Sequence, residues 1–343
     1  MGFTSNQFIY CIVVIILGLW VSQTVSLTLH DDASMLEKHE QWMALHGRVY
    51  KGVGEKERRF RIFKENVKFI HSRNSVRNRS YKLSVNKFAD QTNKEFKAAR
   101  NGYKGRFPLL GKSSRRFMYE NVTDVPSSMD WRKEGAVTPV KDQGQCGCCW
   151  AFSAVAAVEG LTKLKTGSLI SLSEQELVDC DDAGNDQGCD GGLMDDAFVY
   201  IKINKGIATN VTYPYEGVDN TCNRKKAASH AAKIKDYEDV PVNDEEALLK
   251  AVANQPISVA IDANGSDFQF YSRGVFSGEC GTDLDHGVTA VGYGTDEDGT
   301  KYWLVKNSWG TGWGEQGYIR LQRDVDALEG LCGIAMDSSY PTA

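Results

Sequence analysis

The stretch QGQCGCCWAF, residues 143–152, contains three cysteines within four positions, Cys146, Cys148 and Cys149. The apolar periodicity after this point predicts a helix over residues 149–164. A helix N-terminus favours an anion, because the helix dipole and free N–H groups point at it. Cys149 is therefore the cysteine best placed to react as a thiolate, and Cys148 lies one residue outside the helix.

A reactive thiol needs a base, and the chain offers six histidines. Four of them precede residue 124: His30, His39, His46 and His71. Of the other two, His230 lies in the polar segment RKKAASHAAK, whereas His286 begins the apolar segment HGVTAVGYG. A lone histidine usually has a surface or packing role. If the thiol is catalytic, His286 is the better candidate for its base.

The cysteine count leaves three interpretations. A zinc cluster needs paired C-x-x-C units or histidines at ligand spacing, and only Cys146 and Cys149 have that spacing. A disulfide oxidoreductase would use the same pair, but usually beside a βαβ unit in a smaller domain. We favour structural bridges plus one nucleophile. Eight of the nine cysteines follow residue 124, and setting Cys148 and Cys149 aside leaves enough for three bridges, with 15 possible pairings.

Charge and hydropathy divide the 343 residues into three parts. Residues 1–26 carry no charged side chain and include the apolar run Phe8–Trp20, which predicts a secretory signal, with a membrane anchor as the alternative. Residues 27–124 contain 22 Lys and Arg against 11 Asp and Glu, a net charge of +11. Residues 125–343 contain 18 against 34, a net charge of −16. Because the basic residues are dispersed, we interpret the two parts as complementary rather than nucleic-acid-binding.

The basic part is predicted to be mainly helical, with helical patterns over residues 31–75. One apolar helical face comprises Phe60, Phe63, Val67 and Ile70. An extended segment is predicted at Val85–Asp90, followed by a basic, glycine-rich linker between Asn101 and Asp124.

The acidic part changes from helical to strand-like patterns near Pro256. Before it, an apolar stripe marks the helix at 149–164, and a capping box is predicted at Ser171–Glu174 or, better placed, at Ser173–Glu176. The stripe comprises Ala151, Val155, Val158, Leu161 and Leu164. After it, PISVAID, HGVTAVGYG, KYWLVKNSW and GYIRLQR are separated by glycine-rich turns. A helical lobe followed by a sheet lobe predicts an α+β fold with two subdomains.

These motifs resemble those of the papain-like cysteine proteases, in particular the cathepsin L-like branch found in plants. CGCCWAF is similar to the nucleophile signature C-G-[S/A]-C-[W/Y], with Cys148 in place of serine or alanine. DHGVTAVGYG resembles the family's histidine segment, and VKNSWGTGWGEQGYIR its asparagine segment. The resemblance implies a helical left lobe and an antiparallel, barrel-like right lobe with the active-site cleft between them.

The resemblance also implies catalytic roles. Cys149 would be the nucleophile, and His286 its partner in a thiolate–imidazolium pair. Asn307 would orient the imidazole, and Trp309, at the edge of the substrate site, would shield that hydrogen bond from water. Gln143 would donate, together with the Cys149 N–H, to the oxyanion of the tetrahedral intermediate.

Disulfide bonds are implied for six of the cysteines. The pairs are Cys146–Cys189, Cys180–Cys222 and Cys280–Cys332. Cys148 would then be a buried spectator, and neither a metal nor another cofactor is expected.

Substrate-binding residues follow from the same resemblance. Gly191 and Gly192 match a glycine pair whose backbone pairs with an extended peptide. The S2 pocket, which holds the side chain two positions before the scissile bond (P2), would be lined by Leu193, Met194, Ala260, Leu284 and Gly287. Asp337, five residues after Cys332, matches the floor of that pocket, with a solvent-facing position as the alternative. An apolar P2 preference with acceptance of Arg or Lys is implied.

Residues 27–124 resemble the inhibitory propeptides of this branch. The spacing E-x3-R-x3-F-x2-N-x3-I-x3-N is matched by Glu55, Arg59, Phe63, Asn66, Ile70 and Asn74. Asn86, Phe88 and Asp90 fit the motif G-x-N-x-F-x-D, with Ser84 in place of the glycine. An unrelated helical domain is the alternative.

The implied protein is a monomeric secretory zymogen with a signal peptide (1–26), a propeptide (27–124) and a peptidase domain (125–343). It would hydrolyse proteins and peptides in a vacuole, in a lysosome or outside the cell. Cystatin-like inhibitors would bind it, and no nucleic acid or membrane partner is expected after signal removal. Candidate glycosylation sites are Asn78, Asn121, Asn210 and Asn264. An inactive peptide-binding homologue is a further alternative, which the intact catalytic set disfavours.

Overall fold

The computed structural model describes residues 32–105, 117–182 and 184–343. The predicted signal over residues 1–26 lies outside these ranges, as does the central part of the predicted linker, residues 106–116. The chain forms two compact units, with the break between Phe69 and Ile70. Within the described ranges, no helix is both long enough and apolar enough to cross a bilayer.

The first unit is a pair of helices that pack through aromatic side chains. They are α1, over residues 32–45, and the beginning of α2 (Val53–Asn74). The phenyl ring of Phe63 lies 5.0 Å from the His39 ring and 5.4 Å from the Trp42 ring. Phe63 is buried, as the apolar helical face predicts, whereas Phe60 is only half-buried.

The second unit begins with the end of α2, followed by a short strand, β1 (Tyr81–Leu83), and a helix, α3 (Asn93–Arg100). A capping box starts α3, because the Thr92 side chain accepts from the Glu95 N–H and the Glu95 carboxylate accepts from the Thr92 N–H.

The extended segment predicted at Val85–Asp90 is wrong, because residues 87–90 form a turn. Asn86 Oδ1 accepts from the Phe88 N–H at 3.0 Å, and such local bonds favour turns over strands.

A nine-stranded sheet forms the right lobe. Its strands after β1 are β2 (Met129–Asp130), β3 (Asp236–Asp239), β4 (Ile257–Ile261), β5 (Tyr271–Phe276), β6 (His286–Thr295), β7 (Lys301–Lys306), β8 (Tyr318–Gln322) and β9 (Ser338–Thr342). The order is β1-β5-β8-β7-β6-β4-β9-β3, with β2 on β6. The four predicted strands are confirmed as β4, β6, β7 and β8. An antiparallel lobe is expected, but among the described strands β5 and β8 form a parallel pair.

Helices form the left lobe and cover the sheet. They are α4 (Cys149–Thr166), α5 (Glu174–Cys180), α6 (Met194–Ile203), α7 (Arg224–Ala227), α8 (Glu245–Val252) and α9 (Ser266–Gln269). The capping box predicted at Ser173–Glu176 forms only in part: the Ser173 side chain accepts from the Glu176 N–H, but the Ser173 N–H donates to Ala208 O and not to Glu176.

Helix α4 is the central helix of the second unit. It packs against β6, β4 and β9 of the sheet and against α6, so it is buried on most sides rather than along one stripe. Leu164 of the predicted stripe is 42% exposed, because the last turn of the helix, before its Gly167 C-cap, reaches solvent. This packing sets the N-terminus of α4 beside the start of β6.

Candidate active site

The thiol of Cys149 lies at the N-terminus of α4 and faces the start of β6. The Gly287 N–H donates to Cys149 Sγ at 3.3 Å. The loop before the helix is tied down by the Cys146–Cys189 disulfide and by a Gly147 N–H bond to Cys189 O at 2.8 Å. A Cβ on Gly147 would lie 2.6 Å from that oxygen, so the close approach requires glycine.

The imidazole of His286 is oriented by the amide of Asn307. His286 Nε2 lies 2.8 Å from Asn307 Oδ1, and the Ser308 N–H donates to the same oxygen at 2.8 Å. Because Oδ1 accepts both bonds, Nε2 carries a proton. The other nitrogen, Nδ1, has no hydrogen-bond partner among the described residues. This tautomer leaves the Nδ1 lone pair available as a base.

Trp309 stacks on the imidazole of His286. Its ring stacks on the His286 ring at 4.6 Å between centroids, with 26° between the planes. Edge contacts with Phe96, Phe268 and Trp313 hold the indole in place. Phe96 belongs to α3, so the segment before residue 124 completes the aromatic cluster.

Gln143 is fully buried and its side chain is held at both ends. Its Oε1 accepts from Ser308 Oγ at 2.6 Å, and its Nε2 donates to Cys146 O at 2.8 Å and to Arg100 O at 2.9 Å. The carbonyl of Arg100 thus takes the amide donor that the resemblance predicts for the oxyanion.

Residues 102–104 pair through backbone hydrogen bonds with Gly192, one of the two glycines predicted to bind an extended peptide. The Gly192 N–H donates to Gly102 O at 2.8 Å, and the Lys104 N–H donates to Gly192 O at 3.1 Å. This pairing is parallel, with Tyr103 opposite Gly192. A Cβ on Gly191 would lie 2.3 Å from Gly102 O, so a side chain there would exclude the paired chain.

Asp285 adds a second contact to the same segment. Asn101 Nδ2 donates to Asp285 Oδ2 at 2.6 Å, and the Tyr103 N–H donates to Asp285 O at 3.0 Å. Burial raises the pKa of Asp285 to about 6, against the opposing effect of the Asn101 bond. Sequence reasoning missed this residue, although it immediately precedes His286.

Burial favours the uncharged forms of both Cys149 and His286 while this segment is in place. Burial raises the pKa of Cys149 to about 11, although N–H bonds from Gly287 and Gly102 oppose the shift. Burial also lowers the pKa of His286 to about 4, and the Asn307 bond only partly offsets it. Near neutral pH the pair is therefore a thiol and a neutral imidazole.

The residues predicted to line S2 lie together. Met194, Ala260 and Leu284 are buried in one apolar cluster that also contains Cys149 and Tyr103. Leu193 packs against this cluster. A Cβ on Gly287 would lie 3.1 Å from the Met194 sulfur, so glycine allows the close contact.

Asp337 is buried, with 6% exposure, so the solvent-facing alternative is wrong. Its backbone oxygen accepts from the Ala260 N–H at 2.9 Å, which holds the residue beside this apolar cluster. Burial raises the pKa of its carboxyl to about 7. Met336, which sequence reasoning missed, also packs against the cluster.

The structure has the three disulfide bonds that the resemblance implies: Cys146–Cys189, Cys180–Cys222 and Cys280–Cys332. The free cysteines of the described ranges are Cys148 and Cys149, both buried. Cys148 Sγ lies 3.1 Å from Tyr215 Oη, which in turn donates to Gln143 O at 2.7 Å. Burial raises the pKa of Cys148 well above its usual range. No sequence signal pointed to Tyr215.

The buried carboxylate of Asp267 anchors residues 73–81, which precede the cleft-covering segment in the chain. Asp267 accepts from Arg73 Nε at 2.8 Å, from Arg73 Nη2 at 2.7 Å and from Arg79 Nη1 at 2.9 Å. The Tyr81 hydroxyl donates to it as well. Burial alone would raise the pKa of Asp267, but the bonds from Arg73 and Tyr81 outweigh it and hold the pKa below 3.8.

A second anchor lies before residue 124. The Tyr119 ring packs on Tyr340 at 5.3 Å, and its hydroxyl donates to Gln255 Oε1 at 2.9 Å. The Met118 N–H donates to Glu238 Oε2 at 3.0 Å. Residues 118–119 are therefore fixed on the surface formed by β3 and β9.

A thiol at a helix N-terminus lies beside an oriented imidazole, and an earlier segment of the same chain covers both groups. These features define a thiol-dependent hydrolase whose cleft is occupied by its own chain. The model of the papain family cysteine protease matches residues 125–342, and the cathepsin propeptide inhibitor domain matches residues 39–96. The chain belongs to the papain family of cysteine proteases. It is a peptidase with an inhibitory propeptide, and hence a zymogen.

Plant proteases are among its relatives. It is 58% identical over 317 residues to the senescence-specific cysteine protease SAG39 of Oryza sativa, covering 92% of each chain. It is 56% identical to the senescence-specific cysteine protease SAG12 of Arabidopsis thaliana, covering 97% of this chain and 98% of the relative. It is 55% identical to vignain of Vigna mungo, covering 94% and 93%.

Solved proforms share the fold. The proform of the ragweed pollen allergen Amb a 11, a cysteine protease, has a TM-score of 0.84 at 48% identity, covering 90% of this chain and 94% of that one. The recombinant stem bromelain precursor has a TM-score of 0.81 at 48% identity, covering 90% and 99%.

Proposed function

We propose that peptide bonds are cleaved by Cys149 and His286 once the propeptide has left the cleft. Water then reaches both groups, the thiol proton passes to His286 Nδ1, and a thiolate–imidazolium pair forms. The thiolate attacks the scissile carbonyl carbon. The resulting oxyanion accepts from Gln143 Nε2, the donor now held by Arg100 O, and from the Cys149 N–H.

The tetrahedral intermediate collapses when the imidazolium gives its proton to the leaving amine, which leaves an acyl-enzyme on Cys149. His286 then removes a proton from water, and the hydroxide attacks the thioester carbonyl. Collapse releases the acid and restores the thiolate–imidazolium pair. The observation that carries this assignment is the double acceptor role of Asn307 Oδ1, which fixes the proton on Nε2 and leaves Nδ1 as the base.

The vicinal thiols provide the test. Cys149→Ser is expected to abolish turnover of a blocked peptide, whereas the matched variant Cys148→Ser keeps most of it, because only Cys149 accepts from Gly287. Stoichiometric inactivation with a peptidyl epoxide, followed by mass spectrometry, should place the label on Cys149. A label on Cys148, or an inactive but natively folded Cys148→Ser protein, would refute the assignment.

For specificity, we propose an apolar P2 preference, supported by the burial of Met194, Ala260 and Leu284 in one cluster. Asp337 lies next to that cluster and is proposed as the floor of the pocket, where its carboxylate would accept a P2 Arg or Lys.

For biosynthesis, we propose entry into the secretory pathway through the signal at residues 1–26, with a propeptide over 27–124 and the peptidase over 125–343. Disulfide bonds suit such an oxidising compartment. Self-processing in acid, between Met118 and Pro126, is proposed to give an active monomer in the vacuole, in the lysosome or outside the cell. Cystatin-like proteins are proposed as its inhibitors.

Glycans are proposed at the four sequons, and the structure ranks them by exposure. Asn78 and Asn121 are exposed, whereas Asn210 and Asn264 are half-buried. Asn210 Oδ1 is itself buried. The two exposed sites lie in the proposed propeptide, so processing would remove the most accessible glycans.

A further inference from the structure

The hydroxyl group of Tyr215 joins the two parts of the chain that are proposed to bind the oxyanion. Its Oη donates to Gln143 O at 2.7 Å and lies 3.1 Å from Cys148 Sγ. Gln143 carries the proposed side-chain donor Nε2, and Cys148 directly precedes Cys149, whose N–H is the proposed backbone donor. One side chain therefore contacts both the loop before α4 and the start of that helix.

The direction of the two hydrogen bonds follows from the protons available. A phenol has one proton to donate, and a backbone carbonyl can only accept. Because Tyr215 uses its proton on Gln143 O, the bond between Tyr215 and Cys148 is donated by the thiol. Burial raises the pKa of Cys148 and that of Tyr215 above their usual ranges, so both groups keep these protons near neutral pH.

The peptide group that accepts from Tyr215 is not held by packing at its glycine. The Gly144 N–H at its other end donates to Asp142 Oδ1 at 3.1 Å. Gly144 has a φ of +66°, and a Cβ placed on it would meet no atom of the described residues within 4 Å. Glycine at a positive φ has wide conformational freedom. The orientation of this peptide group therefore depends on its hydrogen bonds, and so does the backbone that carries the Gln143 side chain.

Tyr215 is itself held in place by two helices. The next two N–H groups, of Glu216 and Gly217, donate to Gln175 Oε1 at 2.7 and 3.1 Å. Gln175 is a fully buried residue of α5. The Tyr215 ring packs edge-on against Phe152 of α4, with 5.0 Å between the ring centroids. The hydroxyl group thus reaches Gln143 from a segment that is fixed independently of the loop before α4.

The side chain of Cys148 contacts Tyr215 and does not cap α4. Cys148 is the N-cap residue of the helix, but its side chain makes no capping hydrogen bond. Its backbone, at φ −95° and ψ 28°, lies outside the extended region from which an N-cap side chain usually reaches the first turn. A serine at this position would therefore keep its hydroxyl on Tyr215, whereas an alanine would remove the donor.

We propose that Tyr215 is a positioning residue for the oxyanion site, and that the Cys148 thiol orients its hydroxyl group. This inference rests on the proposed role of Gln143 Nε2 as an oxyanion donor. The Tyr215 bond holds the backbone of Gln143 against the start of α4 and so sets the spacing between Nε2 and the Cys149 N–H. Cys148 then acts on catalysis through Tyr215 and is not a spectator.

The effect of this positioning is expected on the chemical step. The oxyanion forms only after attack on the carbonyl, so a misplaced donor lowers kcat and kcat/KM together and leaves KM unchanged. Outright loss of an oxyanion donor lowers kcat by about 10²–10³. Because Ser308 Oγ also holds the Gln143 side chain, loss of the Tyr215 hydroxyl should cost less, about tenfold.

Four variants separate positioning from a merely structural role. Tyr215→Phe removes the hydroxyl group and keeps the ring on Phe152. Tyr213→Phe is the matched control, because it removes a hydroxyl group of the same segment that donates to Asp179 Oδ2 at 2.7 Å. Cys148→Ala removes the donor to Tyr215, and Cys148→Ser supplies it again.

The test is the kcat and KM of the processed enzyme for a blocked peptide, with the Tm of each variant as the measure of stability. Tyr215→Phe should lower kcat about tenfold and Cys148→Ala about threefold, with KM unchanged. Cys148→Ser should retain kcat. Tyr213→Phe should retain it too, although loss of its hydrogen bond lowers Tm. A wild-type kcat in Tyr215→Phe, or an equal loss in Tyr213→Phe, overturns the proposal.

The two Cys148 variants decide the question if Tyr215→Phe does not fold. A lower kcat in Cys148→Ala than in Cys148→Ser supports the proposal, and equal kcat values in the two overturn it.

A double-mutant cycle shows whether Tyr215 acts through Gln143. In a Gln143→Ala background, Tyr215→Phe should lower kcat no further, and a tenfold loss there overturns the proposal. If Gln143→Ala alone has the wild-type kcat, the oxyanion assignment of the proposed function fails instead. Positioning is then decided by NMR of the intact Cys149→Ser zymogen. The Gln143 side-chain amide signal should shift in Tyr215→Phe and not in Tyr213→Phe, and an unmoved signal overturns the proposal.

Discussion

Asn307 Oδ1 lies 2.8 Å from His286 Nε2 and takes the Ser308 N–H on the same atom. The Ser308 N–H therefore holds the Asn307 amide in place, and the amide in turn orients the imidazole. Orientation of the base therefore depends on a residue just after β7, while the base itself begins β6. These two strands are neighbours in the sheet, so the register between them sets the geometry between Asn307 and His286.

Replacing Asn307 tests this relationship. Asn307→Ala should lower kcat/KM by roughly 10- to 150-fold, because a hydrogen bond to a charged imidazolium contributes about 1.5–3 kcal/mol. Asn307→Asp keeps an acceptor oxygen and adds a negative charge, so it should raise the pKa of His286 and move the alkaline limb of the rate profile upwards. Equal rate profiles for wild type and Asn307→Ala would show that Asn307 does not orient the base.

The charge state of the thiol should change when the propeptide leaves. With the pKa of Cys149 raised to about 11 by burial, the zymogen should show no Cys149 thiolate near pH 7. The processed enzyme should show one, because solvent and the imidazolium then favour the anion. The measurement is thiolate absorbance in the ultraviolet, taken as the difference from Cys149→Ser.

The control for that experiment is Cys148→Ser, which should leave the difference spectrum unchanged. A thiolate signal in the intact zymogen at pH 7 would contradict the proposed latent thiol and neutral imidazole.

The Asp267 anchor should hold the propeptide until strongly acidic pH. The pKa of Asp267 is lowered in the folded zymogen. Its contribution to the stability of the zymogen is therefore present above pH 3.8, its ordinary pKa, and is lost as pH falls through the lowered pKa. Asp267→Asn should therefore open the cleft at pH 7 about tenfold or more faster than wild type. The rate of peptidyl-epoxide labelling of Cys149 in the intact zymogen measures this opening.

Asp283→Asn is the matched control for Asp267→Asn, because Asp283 is an exposed acid of the same lobe. It should label at the wild-type rate. If Asp267→Asn also labels at that rate, the anchor does not contribute to latency, and the proposed electrostatic attachment between propeptide and peptidase loses its main support.

Local sequence patterns predicted the elements that carry the proposed catalytic groups, because Cys149 and His286 lie at the starts of a strongly apolar helix and strand. They could not predict Asp267, whose partner Arg73 is 194 positions away, since an ion pair between distant segments leaves no local periodicity.

The last prediction concerns Asp337 and the residue at P2. Burial raises the pKa of this carboxyl to about 7, so the group is mostly neutral in acid and ionised above neutral pH. If it forms the floor of S2, the ratio of kcat/KM for a P2 Arg peptide to that for its P2 Leu counterpart should rise between about pH 5 and 8. A charge-assisted hydrogen bond contributes about 1.5–3 kcal/mol, and because aspartate reaches less far than glutamate we expect the lower end, about tenfold. In Asp337→Ala the ratio should be low and independent of pH, with P2 Leu turnover retained. Equal losses for both peptides in that variant would assign Asp337 a structural role only.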